Sequence, residues 1–215
     1  MKRNYTTLTK QVTRIKLPFK TISLCLALLF GNIIAAQNLD YAWAKNMGGG
    51  ANDYGNSITT DAAGNVYTTG SFVSTADFDP SSGTSNLVSN GSFDIFISKL
   101  DASGNFVWAK GIGGTSTDYG SYVSIDGTGN VYVTGRFNGT VDFDPGTGVS
   151  NLTSNGGFDN YILKLSHTGD YLWAKSFGGA SPDEISAARF DQSGNVYTTG
   201  MFAGTVDFDP GTGTS

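Results

Sequence analysis

Pairs of aspartates are the residues best able to carry chemistry in this sequence. An Asp-Phe-Asp-Pro motif occurs three times, and a glycine follows the proline by three residues in each copy. Two carboxylates two residues apart, together with carbonyl groups of the loop, are hard oxygen ligands of the kind that calcium prefers. The candidate calcium ligands are Asp77, Asp79, Asp142, Asp144, Asp207 and Asp209.

The same motif has a simpler interpretation as a turn. Asp before Pro often starts a turn, and Phe78 can pack inward to anchor the loop. Compared with an EF-hand loop, the motif lacks a third acid and the later glutamate. We therefore expect a loop turn, with calcium as the alternative, and calcium is the only cofactor that the sequence indicates.

Five further aspartates also recur in register. Asp53, Asp118 and Asp183 each follow a Gly-Gly pair by four or five residues, and Asp94 and Asp159 stand just before a predicted strand. They could line one end of a channel and present carboxylates to a ligand. They could instead brace the loops beside them, because Asp readily accepts hydrogen bonds from nearby backbone N–H groups. We favour the bracing role.

The sequence predicts no catalytic site. His167 is the only histidine and stands in a turn where the preceding copy has Ala102, so a triad or a zinc site lacks its partners. Trp43, Trp108 and Trp173 could stack on sugars, but packing between sheets is the better interpretation. A hydrolase needs a carboxylate pair with one member unlike its repeats, whereas we expect the visible carboxylates all to recur in register, which favours binding.

A 65-residue repeat organises these residues. Trp-Ala-Lys, Gly-Asn-Val-Tyr and Asp-Phe-Asp-Pro each occur three times at a spacing of 65, and the three units begin near Trp43, Trp108 and Trp173. Of the 43 positions that all three copies share, 21 are identical. Three independent markers in one register indicate tandem copies of one structural unit.

Each complete unit is predicted to contain four strands. They are Ser121–Ile125, Val131–Phe137, Asn160–Leu165 and Tyr171–Phe177, with Ile95–Leu100 and Phe106–Lys110 as the last two of the preceding unit. Five-residue connectors containing Asp, Gly and Asn suit hairpin turns. Asp183–Arg189 has helical propensity, but it aligns with a strand of the preceding copy and is assigned to a strand.

Four antiparallel strands in each unit predict an all-β fold of β-propeller blades. A β-solenoid uses shorter coils, and a sandwich of 65 residues would have a small core, so both alternatives fit less well. The third copy reaches only its long loop at Ser215, which gives about two and a half blades after an opening strand at Tyr41–Lys45. We therefore expect an incomplete propeller from a longer chain. Closing the ring would take further blades of the same chain or other copies.

These motifs resemble the seven-bladed β-propeller (SBBP) repeat family. The likeness rests on Gly-Asn-Val-Tyr-x-Thr-Gly-x-Phe, Asp-Phe-Asp-Pro, Phe-Asp-x-x-Ile-x-Lys-Leu and Trp-Ala-Lys, and it covers 43–215. The resemblance implies an exported bacterial protein, often large and multidomain, that often carries a C-terminal sorting domain for type IX secretion. It implies no defined activity.

Residues 1–36 are predicted to form a secretory signal. A basic stretch precedes an apolar run from Ile22 to Phe30, and Ala35 and Ala36 suit signal peptidase, with cleavage after Ala36. A membrane anchor is the alternative, but 22–36 is shorter than the roughly 20 residues that a spanning helix needs. Cleavage would remove Cys25, the only cysteine, and leave 37–215 without disulfides.

The remaining chain, 37–215, is acidic. It holds seven basic and 18 acidic residues, a formal net charge of −11, which disfavours nucleic acid as a partner. We expect a secreted or outer cell-surface module with no membrane span after signal removal. Its expected function is non-catalytic binding or scaffolding of a protein or glycan. The alternative is part of a propeller enzyme, a lyase or glycan hydrolase, whose active site needs blades absent from this chain.

Overall fold

The computed structural model describes residues 42–191, 193–209 and 211, so the predicted signal lies outside the described residues. The described part is built from strands, without a helix. In chain order they are β1 (Gly48–Gly49), β2 (Asp53–Thr60), β3 (Val66–Phe72), β4 (Thr75–Asp77), β5 (Asn86–Val88), β6 (Asp94–Leu100), β7 (Phe106–Ile112), β8 (Tyr119–Ile125), β9 (Val131–Phe137), β10 (Thr140–Asp142), β11 (Asn151–Thr153), β12 (Asp159–Leu165), β13 (Tyr171–Gly179), β14 (Glu184–Phe190), β15 (Val196–Met201) and β16 (Val206–Asp207). The all-β prediction is confirmed.

Two complete blades follow one another along the chain. The first has the strand order β2-β3-β6-β7, and the second has the order β8-β9-β12-β13, with all neighbours antiparallel. Phe72 pairs with Asp94 in the first blade, and Phe137 pairs with Asp159 in the second, which is the same register displaced by 65 residues. β14 and β15 begin a third blade. The described strands form no closed ring of sheets.

The strand bounds agree with the predicted ones to within two residues in the complete blades. Val131–Phe137 is the same at both ends, and Asp183–Arg189 became β14, a strand and not a helix. Each hairpin between long strands closes with a glycine at positive φ, such as Gly129 at 86° and Gly169 at 83°, where glycine is free of strain. The turn chemistry therefore set the ends of the strands.

The core lies on both faces of the central strands. β6 is buried at all seven of its positions, because each blade packs against its neighbour. One apolar cluster joins Ile97 of the first blade to Val133 and Leu163 of the second. Strands that are covered on both faces are apolar on both faces, which explains the weak alternation in the sequence.

The long connection within each unit holds a small hairpin that the sequence analysis did not predict. β4 pairs with β5 in the first unit, and β10 pairs with β11 in the second. At the third unit, Gly178 and Gly179 at the end of β13 pair with β16. The end of one blade therefore extends to pair with the small hairpin segment of the next.

The predicted opening strand at Tyr41–Lys45 is wrong for the described residues 42–45. They lie outside any strand, and β1 begins only at Gly48. A fourth strand needs the third strand of its own unit as partner, as β7 has β6, and the described residues include no such strand before Ala42. Trp43 nevertheless donates from Nε1 to the carbonyl of Ala102 (3.1 Å), as Trp108 does to His167 (3.3 Å).

No helix of the described part is long and apolar enough to cross a membrane.

Candidate functional site

The Asp-Phe-Asp-Pro motifs brace the tips of the small hairpins. Oδ1 of Asp77 accepts hydrogen bonds from the backbone N–H groups of Asp79 (3.0 Å) and Ser85 (2.8 Å). Asp142 accepts the same two bonds in the next unit. These donors favour the charged form, so the pKa of Asp77 is held below its ordinary value.

The second aspartate of each motif closes a tighter turn. Asp79, Asp144 and Asp209 each accept a bond through Oδ1 from the N–H two residues later, at 2.9, 2.8 and 2.7 Å. Phe78 and Phe143 are buried, as expected for an anchor. The contacts thus match the turn interpretation. Among the described residues no group of three or more acidic, histidine or cysteine side chains converges, and calcium stays a prediction.

The aspartates that follow Gly-Gly brace loops where blades meet. Asp118 accepts from Gly114 through Oδ2 (2.8 Å) and from Asn138 through Oδ1 (3.1 Å). Asp183 makes the equivalent bonds to Gly179 (2.8 Å) and Ala203 (3.1 Å). Both residues are almost fully buried. The favoured bracing role is confirmed, and these carboxylates do not face an open channel.

Each blade junction also pairs two carboxylates, which the sequence analysis did not anticipate. The backbone N–H of Asp118 donates to Phe93 (2.7 Å), beside Asp94, and that of Asp183 donates to Phe158 (2.8 Å), beside Asp159. Asp94 accepts from Asn90 through Oδ2 (2.9 Å). Oδ1 of Asp94 and Oδ1 of Asp159 are buried without a hydrogen-bond partner.

The environment of the blade junction raises the pKa values of these acids. Burial, with the charge of Asp118 as a further cause, raises the pKa of Asp94 to about 6. Burial also raises the pKa of Asp118, and burial together with Asp183 raises that of Asp159. A buried carboxylate beside another is costly to ionise when no cation is near. The ion pairs found in the described part involve other acids.

A groove of about 550 Å³ lies where the first strands of three successive units meet. Its size is within the range of about 300–1,000 Å³ that is usual for ligand sites. Two rows of equivalent positions line it, Tyr54, Tyr119 and Glu184 in one and Asn56, Ser121 and Ser186 in the other, with Ser71, Tyr122, Arg136 and Ile185 beside them. Each unit of the described chain contributes to this cavity, and we call it the axial groove.

Side chains tie the first strands together along the axial groove. Asn56 Nδ2 donates to the carbonyl of Gly120 (2.9 Å), and the N–H of Val123 donates to Ser57 Oγ (3.2 Å). The Tyr122 hydroxyl donates to the carbonyl of Ser186. Backbone groups on the inner edges of β8 and β14 are therefore partly occupied by neighbouring units.

A row of aromatic rings runs along one side of the axial groove. Tyr54 lies 5.6 Å from Phe93, Phe93 lies 6.0 Å from Tyr119, and Tyr119 lies 6.0 Å from Phe158, measured between ring centroids. Tyr54 is half exposed. The row alternates between first strands and the segments that lead into third strands, so the repeat itself generates it.

The row ends at an ion pair that breaks the repeat. Arg136 Nη1 lies 2.7 Å from Glu184 Oε2, and the guanidinium lies over the rings of Tyr119 (4.9 Å) and Phe158 (5.0 Å). The positions equivalent to Glu184 hold tyrosine, and those equivalent to Arg136 hold Ser71 and Met201. A copy-by-copy comparison could have found both residues. The expectation that the acids all recur in register is wrong for Glu184.

The remaining sequence candidates lie away from the axial groove. The side chain of His167 is exposed in its turn, and its carbonyl accepts from Trp108 and from Lys99 Nζ (3.3 Å). Trp108 thereby packs on the next blade, as expected, beneath the turn glycine Gly169. None of these groups forms a catalytic constellation with the ion pair.

Repeated four-stranded blades with their first strands side by side define the chain as a β-propeller module. Residues 43–71 match the model of the SBBP family, described as a beta-propeller repeat. The match agrees with the resemblance seen in the motifs, and the chain is similar to SBBP repeat proteins over this segment. The matched segment runs from Trp43 to Ser71, the first half of one unit.

Two curated proteins are similar to the chain. Regulatory protein FlaEY of Caulobacter vibrioides is 28% identical over 158 residues, which cover 72% of this chain and 16% of that protein. An uncharacterized WD repeat-containing protein, L264, of Acanthamoeba polyphaga mimivirus is 28% identical over 135 residues, which cover 53% of this chain and 10% of that protein. The chain therefore spans under a fifth of the length of either relative.

Proposed function

We propose that this chain is part of a non-catalytic, exported or cell-surface module that binds a protein or glycan through the axial groove. The observation that carries the proposal is the groove itself, to which three successive units contribute and in which Arg136 and Glu184 depart from the repeat. Scaffold positions repeat, whereas residues selected for a ligand differ between copies. Export is proposed from the signal-like residues 1–36, and further blades of the chain or other copies would complete the ring.

A propeller enzyme is the second candidate, and Glu184 is the residue that favours it. Hydrolysis of a glycosidic bond ordinarily needs two carboxylates at a set separation, one acting as acid and one as base or nucleophile. In the axial groove the partner of Glu184 is Arg136, and Asp183 is turned into the blade junction by its bonds to Gly179 and Ala203. The ion pair suits ligand positioning better than acid–base chemistry.

Binding is tested with the whole exported protein and a variant that fills the axial groove. Ser186→Trp places an indole in the groove from an exposed position. Ser103→Trp is the matched control, because Ser103 is exposed in a hairpin turn of the first blade. We expect the wild-type protein and the control to be retained on an outer-surface fraction of the source cells, and the groove variant to lose about tenfold or more of that retention. Equal retention of all three proteins would contradict the proposal.

A further inference from the structure

We propose that the axial groove binds a neutral oligosaccharide chain, an inference that rests on the proposed function and specifies its ligand. The groove combines ring faces with a row of small polar groups, from Tyr54 and Tyr119 on one side to Asn56, Ser121 and Ser186 on the other. Sugars present apolar C–H faces that stack on aromatic rings and hydroxyl groups that pair with amides and hydroxyls. An open groove lined by residues of three successive units also suits a chain more than a compact ligand.

The charges of the groove favour a neutral ligand. Among the described residues that line it, Arg136 and Glu184 are the only charged ones, and they pair with each other at 2.7 Å. The groove thus presents no uncompensated cation to an anionic group. The acidic balance of residues 37–215 adds a general repulsion against a polyanionic chain.

The strand edges in the groove disfavour an extended peptide. A peptide that adds to a sheet needs a row of unpaired backbone N–H and C=O groups. At the groove, the carbonyl of Gly120, the N–H of Val123 and the carbonyl of Ser186 already bond to side chains of the neighbouring unit. Side-chain hydroxyls and rings therefore remain as the accessible recognition groups, which matches a sugar.

The test is calorimetric titration of the whole exported protein with defined hexasaccharides. The neutral probes are maltohexaose, cellohexaose, xylohexaose, mannohexaose and chitohexaose, and the anionic probe is hexagalacturonate. We expect at least one neutral probe to bind and the anionic probe to bind at least tenfold more weakly. Tyr54→Ala, which removes a half-exposed ring, should weaken the neutral probe about tenfold or more.

Leu172→Ala is the control, because Leu172 is 46% exposed on β13 of the complete second blade, outside the groove, and its loss should leave affinity unchanged. Absence of binding by all neutral probes, tighter binding of hexagalacturonate, or equal affinity of Tyr54→Ala would overturn the inference. If Ser186→Trp still abolishes retention on the cell-surface fraction while protease treatment of that fraction also abolishes it, the ligand is a protein. The glycan inference then fails and the proposed function stands. If Ser186→Trp leaves retention unchanged and Tyr54→Ala leaves sugar affinity unchanged, both the glycan inference and the proposed function fail.

Discussion

The carboxylates at the blade junctions should make the propeller less stable as the pH rises from 4 to 8. The pKa of Asp94 is raised in the folded state from 3.8 to about 6. An acid whose pKa is raised by folding binds its proton more tightly in the folded than in the unfolded chain. Its contribution to stability is therefore fully present below about pH 4 and is lost as the pH rises through 6.

The size of the effect follows from the same shift. A change in pKa from 3.8 to about 6 corresponds to about 3 kcal/mol between the two protonation states. Asp159 occupies the equivalent junction, and its pKa is also raised, so it adds an effect of the same sign. Acids with lowered pKa, such as Asp101, act in the opposite direction but only below about pH 4. Between pH 5 and 8, the change in the free energy of unfolding therefore reports mainly on the carboxylate pairs at the blade junctions.

The assay is urea denaturation of the whole protein in chelator at several pH values, followed by tryptophan fluorescence. We expect the free energy of unfolding to fall by a few kcal/mol between pH 5 and 8. Asp94→Asn, which is uncharged at every pH, should flatten part of this slope and raise stability at pH 8 by about 1–3 kcal/mol. Asp101→Asn, the same change in an exposed turn, should leave the slope unchanged.

Stability that is flat or rises from pH 5 to 8 would refute this reasoning, as would a wild-type slope in Asp94→Asn. Restoration of stability at pH 8 by added calcium would show that a cation, and not a proton, neutralises the pair.

Three further outcomes are expected. Gly169→Ala should lower the free energy of unfolding by about 1–2 kcal/mol more than Gly129→Ala in chemical denaturation, because both have positive φ but only at Gly169 would the new Cβ crowd the Trp108 ring; equal losses would argue against that packing. Millimolar calcium should raise the melting temperature if the Asp-Phe-Asp-Pro loops bind it, and identical melts in calcium and in chelator would remove the calcium proposal. Residues 37–215 expressed alone should self-associate in size-exclusion chromatography, because β15 exposes Tyr197 and Met201, and a stable monomer would count against this expectation.

Much of the fold could be predicted from the sequence because turn chemistry and the repeat constrain it strongly. The Asp-x-x-Gly-Asn connectors place a glycine at positive φ, as at Gly129, and so define the ends of the flanking strands. The hairpins β4–β5 and β10–β11 escaped prediction because strands of three residues are too short to show a period. The prediction of an opening strand was wrong for the described residues 42–45 because a strand forms only beside a partner strand. A local sequence pattern does not show whether that partner lies alongside.

The candidate site could be predicted only in part. The local role of Asp77 follows from its own neighbours in the chain, so the turn interpretation needed no tertiary information. The pairing of Asp94 with Asp118 joins two units, and the axial groove joins three, which a single unit cannot reveal. Arg136 and Glu184 were visible as departures from the repeat, but many positions depart from it. Only the packing of β14 beside β8 and β9 shows that these two residues meet.

The most direct test of the account is an experimental structure of the whole protein with a neutral hexasaccharide that it binds. We expect blades in the order β2-β3-β6-β7 and β8-β9-β12-β13, a third strand paired with β15, and the sugar stacked on Tyr54 in the axial groove beside Arg136 and Glu184. A sugar bound elsewhere, or first strands that do not line a common groove, would contradict the account.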